Sequence, residues 1–375
     1  MRWTLWLYSL FTLMLCVPAL ADEKPASIPK PDGQAADLSR PVQVFLLLGQ
    51  SNMVGLGKIR GNEVSLESAV KQRQKYDYLL DESGDWSERK DVRYVRVMDG
   101  RGGGTQLLNN AWLSVKTCQT IGPEFGIGHP LGNAVEAPVM LLKSCIGNRS
   151  LGWDLLPPGS ERYPFVTRDR TGAEKSLVYA GYKDRPESWE MDPARGLATE
   201  PGPWLDKSGK PIDWYAGKQW DADVGKAKKV LEELGTYYPD ATRFEVAGFF
   251  FWQGEKDVGN PGHASRYEEN LVRFIRELRK EFNAPRAPFV LATLGEAEKG
   301  VEGPAGEVLN AHLAVDGKSG KYPEFAGNVT TIYTHPLAQG GSGNGHYGGK
   351  AEVYMDVGEA MGRAMVELLQ PSQSP

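Results

Sequence analysis

The chain has 375 residues, of which 41% are hydrophobic and 24% are charged, a balance typical of a globular protein. Its formal net charge of −5 disfavours nucleic acid as a partner, because binding phosphates requires a basic surface. With three cysteines and no histidine–cysteine cluster at ligand spacing, the sequence predicts no metal site, and we expect no cofactor.

The N-terminus has the pattern of a secretory signal. Residues 1–21 contain a basic start, an apolar run and the small residues Ala19 and Ala21 at the expected cleavage position. We therefore expect a bacterial protein that is secreted or periplasmic and has no membrane contact after cleavage, the alternative being an uncleaved anchor. Residues 22–40, rich in proline, aspartate and alanine, are predicted to form a linker.

Residues 41–370 are predicted to form one α/β domain. Apolar runs predict strands at residues 42–48, 138–145, 244–252, 288–294 and 328–333. Helical spacing or composition predicts helices at residues 122–132, 223–234, 267–282 and 352–369. The alternation predicts a parallel sheet of about five strands with helices on both faces. The charged residues 60–95 are predicted to form a helix and surface loops.

Residues 152–222 differ from the rest of the chain. They hold five tryptophans, several prolines and glycines, and little periodicity. A long irregular stretch in a compact domain usually has a function, so we predict an insertion over the active-site face of the sheet. Its tryptophans could stack on sugar rings or form a small core of the insertion itself.

Chemically useful residues follow three of the predicted elements. Ser51 follows the first strand, "WQGEKD" (252–257) ends the third, and "GNGHYGG" (343–349) precedes the last helix. Because the carboxyl ends of parallel strands meet at one edge of a sheet, we expect these three segments to lie close together.

These residues fit an acyl-transfer site, which needs a nucleophile, a base, a group that orients the base and oxyanion donors. Ser51 could be the nucleophile or only a helix cap. His346 could be the base or a loop histidine, with His335 as its rival. Glu255 could orient the imidazole or be a surface carboxylate. The Gln253 amide and the Gly147 N–H could donate to an oxyanion.

Several familiar motifs are absent. A nucleophile elbow would have glycine where Met53 stands, which argues against an α/β-hydrolase. The third glycine of a dinucleotide loop would fall on Arg60. His129 and His263 are expected to be structural or surface residues.

"GQSNM", "WQGE" and the late histidine together resemble the SGNH-hydrolase superfamily. Within it, residues 41–369 are most similar to the sialate O-acetylesterase-like branch, which includes acetylxylan esterases of carbohydrate esterase family six. The resemblance implies a three-layer α/β/α, flavodoxin-like fold and metal-independent hydrolysis of acetyl esters on sugars.

By position, the resemblance implies that Ser51 is the nucleophile and His346 the general base. It also implies an oxyanion hole formed by the N–H groups of Ser51 and Gly147 with the Gln253 side chain. Many members have aspartate three residues before the histidine, where this chain has Gly343. The acid that orients His346 would then be Glu255, as in some acetylxylan esterases. Asp257 is the second choice, and a Ser–His dyad oriented by a backbone carbonyl is the remaining alternative.

The sequence therefore predicts a secreted carbohydrate O-acetylesterase whose partner is an acetylated carbohydrate. The alternatives are a non-catalytic carbohydrate-binding protein on the same scaffold and an esterase for another acyl ester. Neither the sugar nor the oligomeric state is predicted. Substrate contacts are expected from residues beside the catalytic set, namely Gln50, Asn52, Asn148, Trp153 and Trp252. Cys118 and Cys145 could form a disulfide in an oxidising compartment, or both could be small buried residues.

Overall fold

The computed structural model describes residues 27–100, 104–339, 341 and 345–370. The predicted signal peptide, residues 1–21, and Gly343 lie outside the described residues. Among the described residues, no helix is both long and apolar enough to cross a lipid bilayer.

A seven-stranded sheet forms the centre of the molecule, with the strand order β12-β11-β10-β1-β6-β3-β4. All neighbouring strands are parallel except β4, which runs antiparallel to β3. The strands are β1 Val42–Gly49, β2 Gly57–Lys58, β3 Arg89–Asp99, β4 Thr105–Leu113, β5 Thr120–Ile121, β6 Val139–Ser144, β7 Tyr163–Arg168, β8 Glu174–Tyr179, β9 Ser188–Glu190, β10 Phe244–Trp252, β11 Phe289–Ala292 and β12 Val329–Ile332.

Helices cover both faces of this sheet. Side chains from α3, α7 and α8 pack on one face and those from α2 and α9 pack on the other, each with its own hydrophobic core. The helices are α1 Ser51–Val54, α2 Glu124–Ala134, α3 Lys218–Glu232, α4 Leu234–Tyr237, α5 Glu255–Val258, α6 Pro261–Ser265, α7 Tyr267–Glu281, α8 Gly303–Ala314 and α9 Ala351–Leu369. The predicted α/β fold with a parallel sheet covered on both faces is confirmed.

The sheet is wider than predicted because β3 and β4 add to its edge. β3 lies within the charged stretch that was expected to form a helix and loops. Its sequence mixes arginines with apolar residues. The Arg93 guanidinium lies over the ring of Trp112 on β4 and donates hydrogen bonds to Asn110 on the same strand. A charged strand can be stable there because its polar side chains find partners on the neighbouring edge strand.

The insertion contains regular structure as well as loops. β7, β8 and β9 form a three-stranded antiparallel sheet, which the weak periodicity of the sequence did not predict. Trp153 and Trp189 are buried in a small core of the insertion, whereas Trp220 belongs to α3 and packs on Phe274 of the main core. The tryptophans thus do form a core, and some of them also line the cavity described next.

Cys118 and Cys145 are both free thiols, so the disulfide alternative is wrong for this structure. Cys145 is buried and Cys118 is partly buried. Burial raises the pKa of Cys118 to about 11 and that of Cys145 to about 12, which keeps both thiols protonated and unreactive near neutral pH.

Candidate active site

A cavity of about 1150 Å³ opens at the carboxyl end of β1. β1 lies between β6 and β10, so the loops after all three strands meet at this edge of the sheet. Ser51, Gly147, Glu255 and His346 all line the cavity. Ser51, Glu255 and His346, one residue from each of the three segments that we expected at one edge of the sheet, are therefore together in one cavity.

Ser51 is the first residue of α1, which begins directly after β1 and the intervening Gln50. The first N–H groups of a helix have no acceptor within the helix, so this backbone can donate to a bound group. The turn ends at Gly55, whose φ of 90° and close approach to Gly122 leave no room for a side chain. Ser51 is thus both a helix-start residue and a cavity residue, and the two predicted roles are compatible.

A buried ion pair holds the other end of α1. The Lys143 ammonium lies 2.5 Å from a Glu124 carboxylate oxygen and donates to the Val54 carbonyl at 3.3 Å. Both charged side chains are almost fully buried. Breaking such a pair is costly because the remaining charge stays buried, so the pair fixes the short helix that carries Ser51.

Gly147, in the loop after β6, packs directly against Ser51. A methyl group at Gly147 would lie 3.5 Å from the Ser51 Cβ and 3.8 Å from the Ser51 Cα. The next residue, Asn148, adopts φ 58°, a left-handed conformation that asparagine tolerates better than most other residues.

Glu255 does not form the predicted hydrogen bond with His346 in this structure. Its carboxylate accepts hydrogen bonds from the Gln50 Nε2, at 2.7 Å, and from the Asn52 Nδ2. Burial raises the pKa of Glu255 to about 8, with the nearby charge of Glu296 adding to this effect. Among the described residues, no carboxylate hydrogen-bonds to His346. The structure therefore gives Glu255 the role of fixing the two residues that flank Ser51.

Gln253 is not placed to donate to an oxyanion. It is fully buried, and its Nε2 donates to the Arg149 carbonyl at 2.9 Å and to Asp257 at 2.5 Å. It is also absent from the residues that line the cavity. In this structure the Gln253 amide links the loops after β6 and β10, so an oxyanion contact stays a prediction that would need these hydrogen bonds to change.

Asp257, the predicted substitute for Glu255, also has other partners. Its carboxylate accepts from the backbone N–H groups of Leu151 and Gly152, each at 2.8 Å. Burial raises the pKa of Asp257 to about 7, against the opposing effect of these hydrogen bonds. Asp257 thus anchors the start of the insertion and is not the acid that supports His346.

His346 lies on a turn with unusual backbone geometry. His346 and Tyr347 have φ values of 50° and 53°, in the left-handed region that non-glycine residues seldom adopt. Tyr347 holds this turn in place: its ring stacks on Trp252 with centroids 5.9 Å apart, and its hydroxyl accepts from Asn52 at 3.3 Å. Strained backbone of this kind persists where packing overdetermines it, often at functional sites.

The other four histidines have different surroundings. The rival base His335 hydrogen-bonds through Nδ1 to a backbone carbonyl at 2.9 Å and does not line the cavity. His129 and His312 are buried, and burial lowers their pKa values well below the ordinary range. His263 is also buried, but it lies in the cavity wall. His346 is therefore the histidine that shares the cavity with Ser51 in the predicted arrangement.

Of the predicted substrate contacts, Gln50, Asn148 and Trp153 line the cavity, whereas Asn52 and Trp252 do not. Asn52 is fully buried behind Ser51, and Trp252 is fully buried with its indole N–H donating to the Thr293 carbonyl at 3.0 Å. In this structure the two side chains are buried away from the cavity, where Asn52 binds Glu255 and Trp252 stacks on Tyr347 of the His346 turn.

Charged residues that sequence reasoning missed also line the cavity: Arg149, Asp154, Glu187 and Lys256. The Arg149 guanidinium is fixed by a hydrogen bond to Gln219 at 3.0 Å and lies 4.9 Å from the Trp214 ring centroid. The sequence signal that could have identified Arg149 as a cavity residue was its position, two residues after Gly147 in the loop that follows a predicted strand.

The described residues contain no group of three or more acidic, histidine or cysteine side chains placed to hold a metal ion. Ser51 and His346 provide a hydroxyl group and an imidazole that line one cavity with Gly147. These are the parts that acyl transfer through a serine requires.

Residues 205–367 match the family model described as "carbohydrate esterase, sialic acid-specific acetylesterase". The matched segment contains Gln253, Glu255 and His346, while Ser51 and Gly147 precede it. The resemblance predicted from the sequence is confirmed over this segment, and the match supports a carbohydrate acetylesterase. No curated protein matches the chain.

Three solved structures match the chain at low sequence identity. A protein from Arabidopsis thaliana is 14% identical, with a TM-score of 0.45, over 87% of this chain and 98% of that one. A carbohydrate acetylesterase from Xanthomonas citri is also 14% identical, with a TM-score of 0.45, over 86% and 55% respectively. NanS is 11% identical, with a TM-score of 0.40, over 80% and 79%. Similarities at this level carry no argument about function.

Proposed function

We propose that the chain is a secreted serine esterase that removes acetyl groups from sugars. The observation that carries the proposal is the shared cavity: Ser51 at the start of α1 packs against Gly147, and His346 lines the same cavity. The family match over residues 205–367 supports acetylated carbohydrate as the substrate class.

In the proposed reaction, the Ser51 hydroxyl oxygen attacks the acetyl carbonyl carbon while His346 takes the hydroxyl proton. The backbone N–H groups of Ser51 and Gly147 stabilise the resulting oxyanion. The sugar oxygen leaves with the proton held by His346. Water, activated by the same imidazole, then hydrolyses the acetyl ester on Ser51 and releases acetate.

A sialic acid is one candidate substrate, as in the description of the matched family. Arg149 favours it, because a fixed guanidinium beside Gly147 can pair with a carboxylate on the sugar. A neutral acetylated xylan is the other candidate. Comparing kcat/KM for O-acetylated sialic acid and acetylated xylo-oligosaccharide in the wild type and in Arg149→Gln separates the two, since only the acidic sugar loses an ion pair.

Substitution of Ser51 tests the mechanism. Ser51→Ala should lower kcat/KM for p-nitrophenyl acetate and for the sugar esters by at least about 10³-fold, because the nucleophile is lost. Ser319→Ala is the matched control, since this exposed serine does not line the cavity; its hydroxyl donates to the Ala314 carbonyl and accepts from the Lys321 N–H. Equal activity of the two variants would contradict the proposed nucleophile.

A carbohydrate-binding protein without catalysis is the second candidate function. The observation that favours it is the absence of a carboxylate on His346 among the described residues, since an unsupported imidazole is a weaker base. The wild type would then bind sugars in the same cavity and release no acetate from any acetylated sugar.

A further inference from the structure

A second polar cluster lies in the same cavity, where the insertion meets α6. The His263 Nε2 lies 3.1 Å from the Glu187 Oε1, and the Asn260 Nδ2 donates to the same oxygen at 3.3 Å. All three side chains line the cavity that contains Ser51. The proposed acyl transfer uses none of them.

His263 is buried without a hydrogen-bond partner. Its exposed fraction is 1%, and its contact with Glu187 does not have the geometry of a hydrogen bond. Neither ring nitrogen therefore has a partner among the described residues. A buried polar group left unsatisfied costs about 1–3 kcal/mol, so an unpartnered imidazole in a cavity wall indicates a ligand that completes its hydrogen bonding.

The protonation of the two groups defines what they can bind. Burial lowers the pKa of His263 to about 3, so at neutral pH the ring has one N–H donor and one acceptor. Burial raises the pKa of Glu187, the charge of Asp154 adds to this, and Asn260 and Lys256 oppose it. Protonated or not, the Glu187 carboxyl still accepts hydrogen bonds.

We infer that Glu187 and His263 form a subsite for a hydroxyl group on the sugar portion of the substrate. A hydroxyl both donates and accepts, so it can donate to Glu187 while it accepts from the His263 ring N–H. An anionic ligand group would be repelled by Glu187. Trp153, in the same cavity, offers apolar surface for the carbon skeleton beside that hydroxyl. The identification of the ligand as a sugar rests on the proposed function.

Glu187→Gln tests the subsite, with Glu190→Gln as the matched control. Glu190 is an exposed carboxylate of the same insertion, on β9, and does not line the cavity. For the sugar ester that the wild type hydrolyses, Glu187→Gln should raise KM about tenfold at little cost in kcat, the effect of weakening one charged hydrogen bond. The effect on p-nitrophenyl acetate, which has no hydroxyl group, should be much smaller. Thermal melting of each variant checks that it is folded.

An unchanged KM for the sugar ester in Glu187→Gln would overturn the inference. An equal loss on the sugar ester and on p-nitrophenyl acetate would also overturn it, because it would indicate a structural or catalytic role. If the wild type hydrolyses no ester, the proposed function fails, and calorimetric titration with xylotriose and N-acetylneuraminic acid tests the subsite separately. Binding to the wild type that weakens in Glu187→Gln supports it, whereas equal binding, or no binding of either sugar, overturns it.

Discussion

The edge of the sheet that carries Ser51 and the insertion that lines the same cavity hold their side chains by different means. Around Ser51, buried polar groups fix the backbone: the Lys143–Glu124 pair contacts the end of α1, and Glu255 binds both neighbours of the serine. The insertion has instead a small core of its own, in which Trp153 and Trp189 are buried.

This difference indicates a division of labour between the two regions. Reacting groups must be held within fractions of an ångström, and a buried network that includes the end of a central strand can do so. Recognition of a sugar depends more on surface and on polar partners, which loops and a small sheet can supply and vary. Substitutions near Ser51 should therefore affect every ester, and those in the insertion should affect sugar esters.

The largest expected effect comes from His346. His346→Asn keeps a residue that tolerates the left-handed backbone and removes the base, so kcat/KM should fall about 10³-fold or more on sugar esters and on p-nitrophenyl acetate alike. His335→Asn is the matched control and should retain activity within about threefold, because its ring binds a backbone carbonyl outside the cavity. A larger loss of activity in His335→Asn than in His346→Asn would indicate that His335, and not His346, is the general base.

Breaking the ion pair under α1 should mainly affect stability. Lys143→Met leaves the Glu124 carboxylate buried without its cation, which should lower the free energy of unfolding by about 3–5 kcal/mol. Chemical denaturation of the wild type and of Lys143→Met measures this loss. The exposed pair Arg168–Glu174 offers a control, and Arg168→Met should cost less than about 1 kcal/mol. Equal losses in the two variants would show that burial of the Lys143 pair does not matter.

Trp214 should affect sugar esters selectively. It lines the cavity with its ring near the Arg149 guanidinium. Trp214→Ala should raise KM for sugar esters about three- to tenfold, the range expected for loss of one aromatic contact, while Trp214→Phe should retain most of the affinity. Steady-state kinetics on a sugar ester and on p-nitrophenyl acetate test this. The same change on both esters would contradict the division between the two regions.

The last expected effect is a change in the pH dependence of stability where the two regions join. The Asp223 carboxylate, on α3, accepts a hydrogen bond from the Gln219 amide, and the oxygen of that amide accepts one from Arg149. Burial raises the pKa of Asp223 to about 8. A carboxyl with a raised folded-state pKa contributes most stability below its unfolded pKa of about 4, and that contribution is lost as pH rises towards the folded value.

Asp223→Asn removes this titration. The free energy of unfolding of the wild type should therefore fall relative to the variant between about pH 4 and pH 8, by at most about 1.4 kcal/mol per pH unit. Denaturation at several pH values measures both slopes. Parallel slopes would show that Asp223 does not titrate across this range in the folded protein.

The sequence was sufficient for the parts of the fold that apolar runs define. The strand before Ser51 and the helix at 267–282 are formed close to their predicted bounds, because each buries a continuous run or stripe of apolar side chains. β3 was missed because its arginines resemble a surface segment. In the structure it is stabilised by pairing with β6 on one side and β4 on the other, where Arg93 finds a partner in Asn110.

For the site, position along the chain predicted which residues meet but not which side chains bind each other. Parallel topology brought Ser51, Gly147 and His346 to one cavity. The partners of Glu255 and Gln253 depend on rotamers and on contacts between residues about two hundred positions apart, which neither periodicity nor motif spacing specifies. The assigned roles of these two residues therefore needed the structure.

Covalent labelling of the serine tests the central claim most directly. The folded wild type is incubated with diethyl p-nitrophenyl phosphate, which transfers its phosphoryl group to an activated serine with loss of p-nitrophenolate, and the labelled peptide is located by mass spectrometry. The account predicts a single label on Ser51 that forms in step with the loss of esterase activity. Ser51→Ala should take up no label, and His346→Asn should be labelled at a reduced rate. Inactivation with the label on another residue, or full esterase activity in Ser51→Ala, would contradict it.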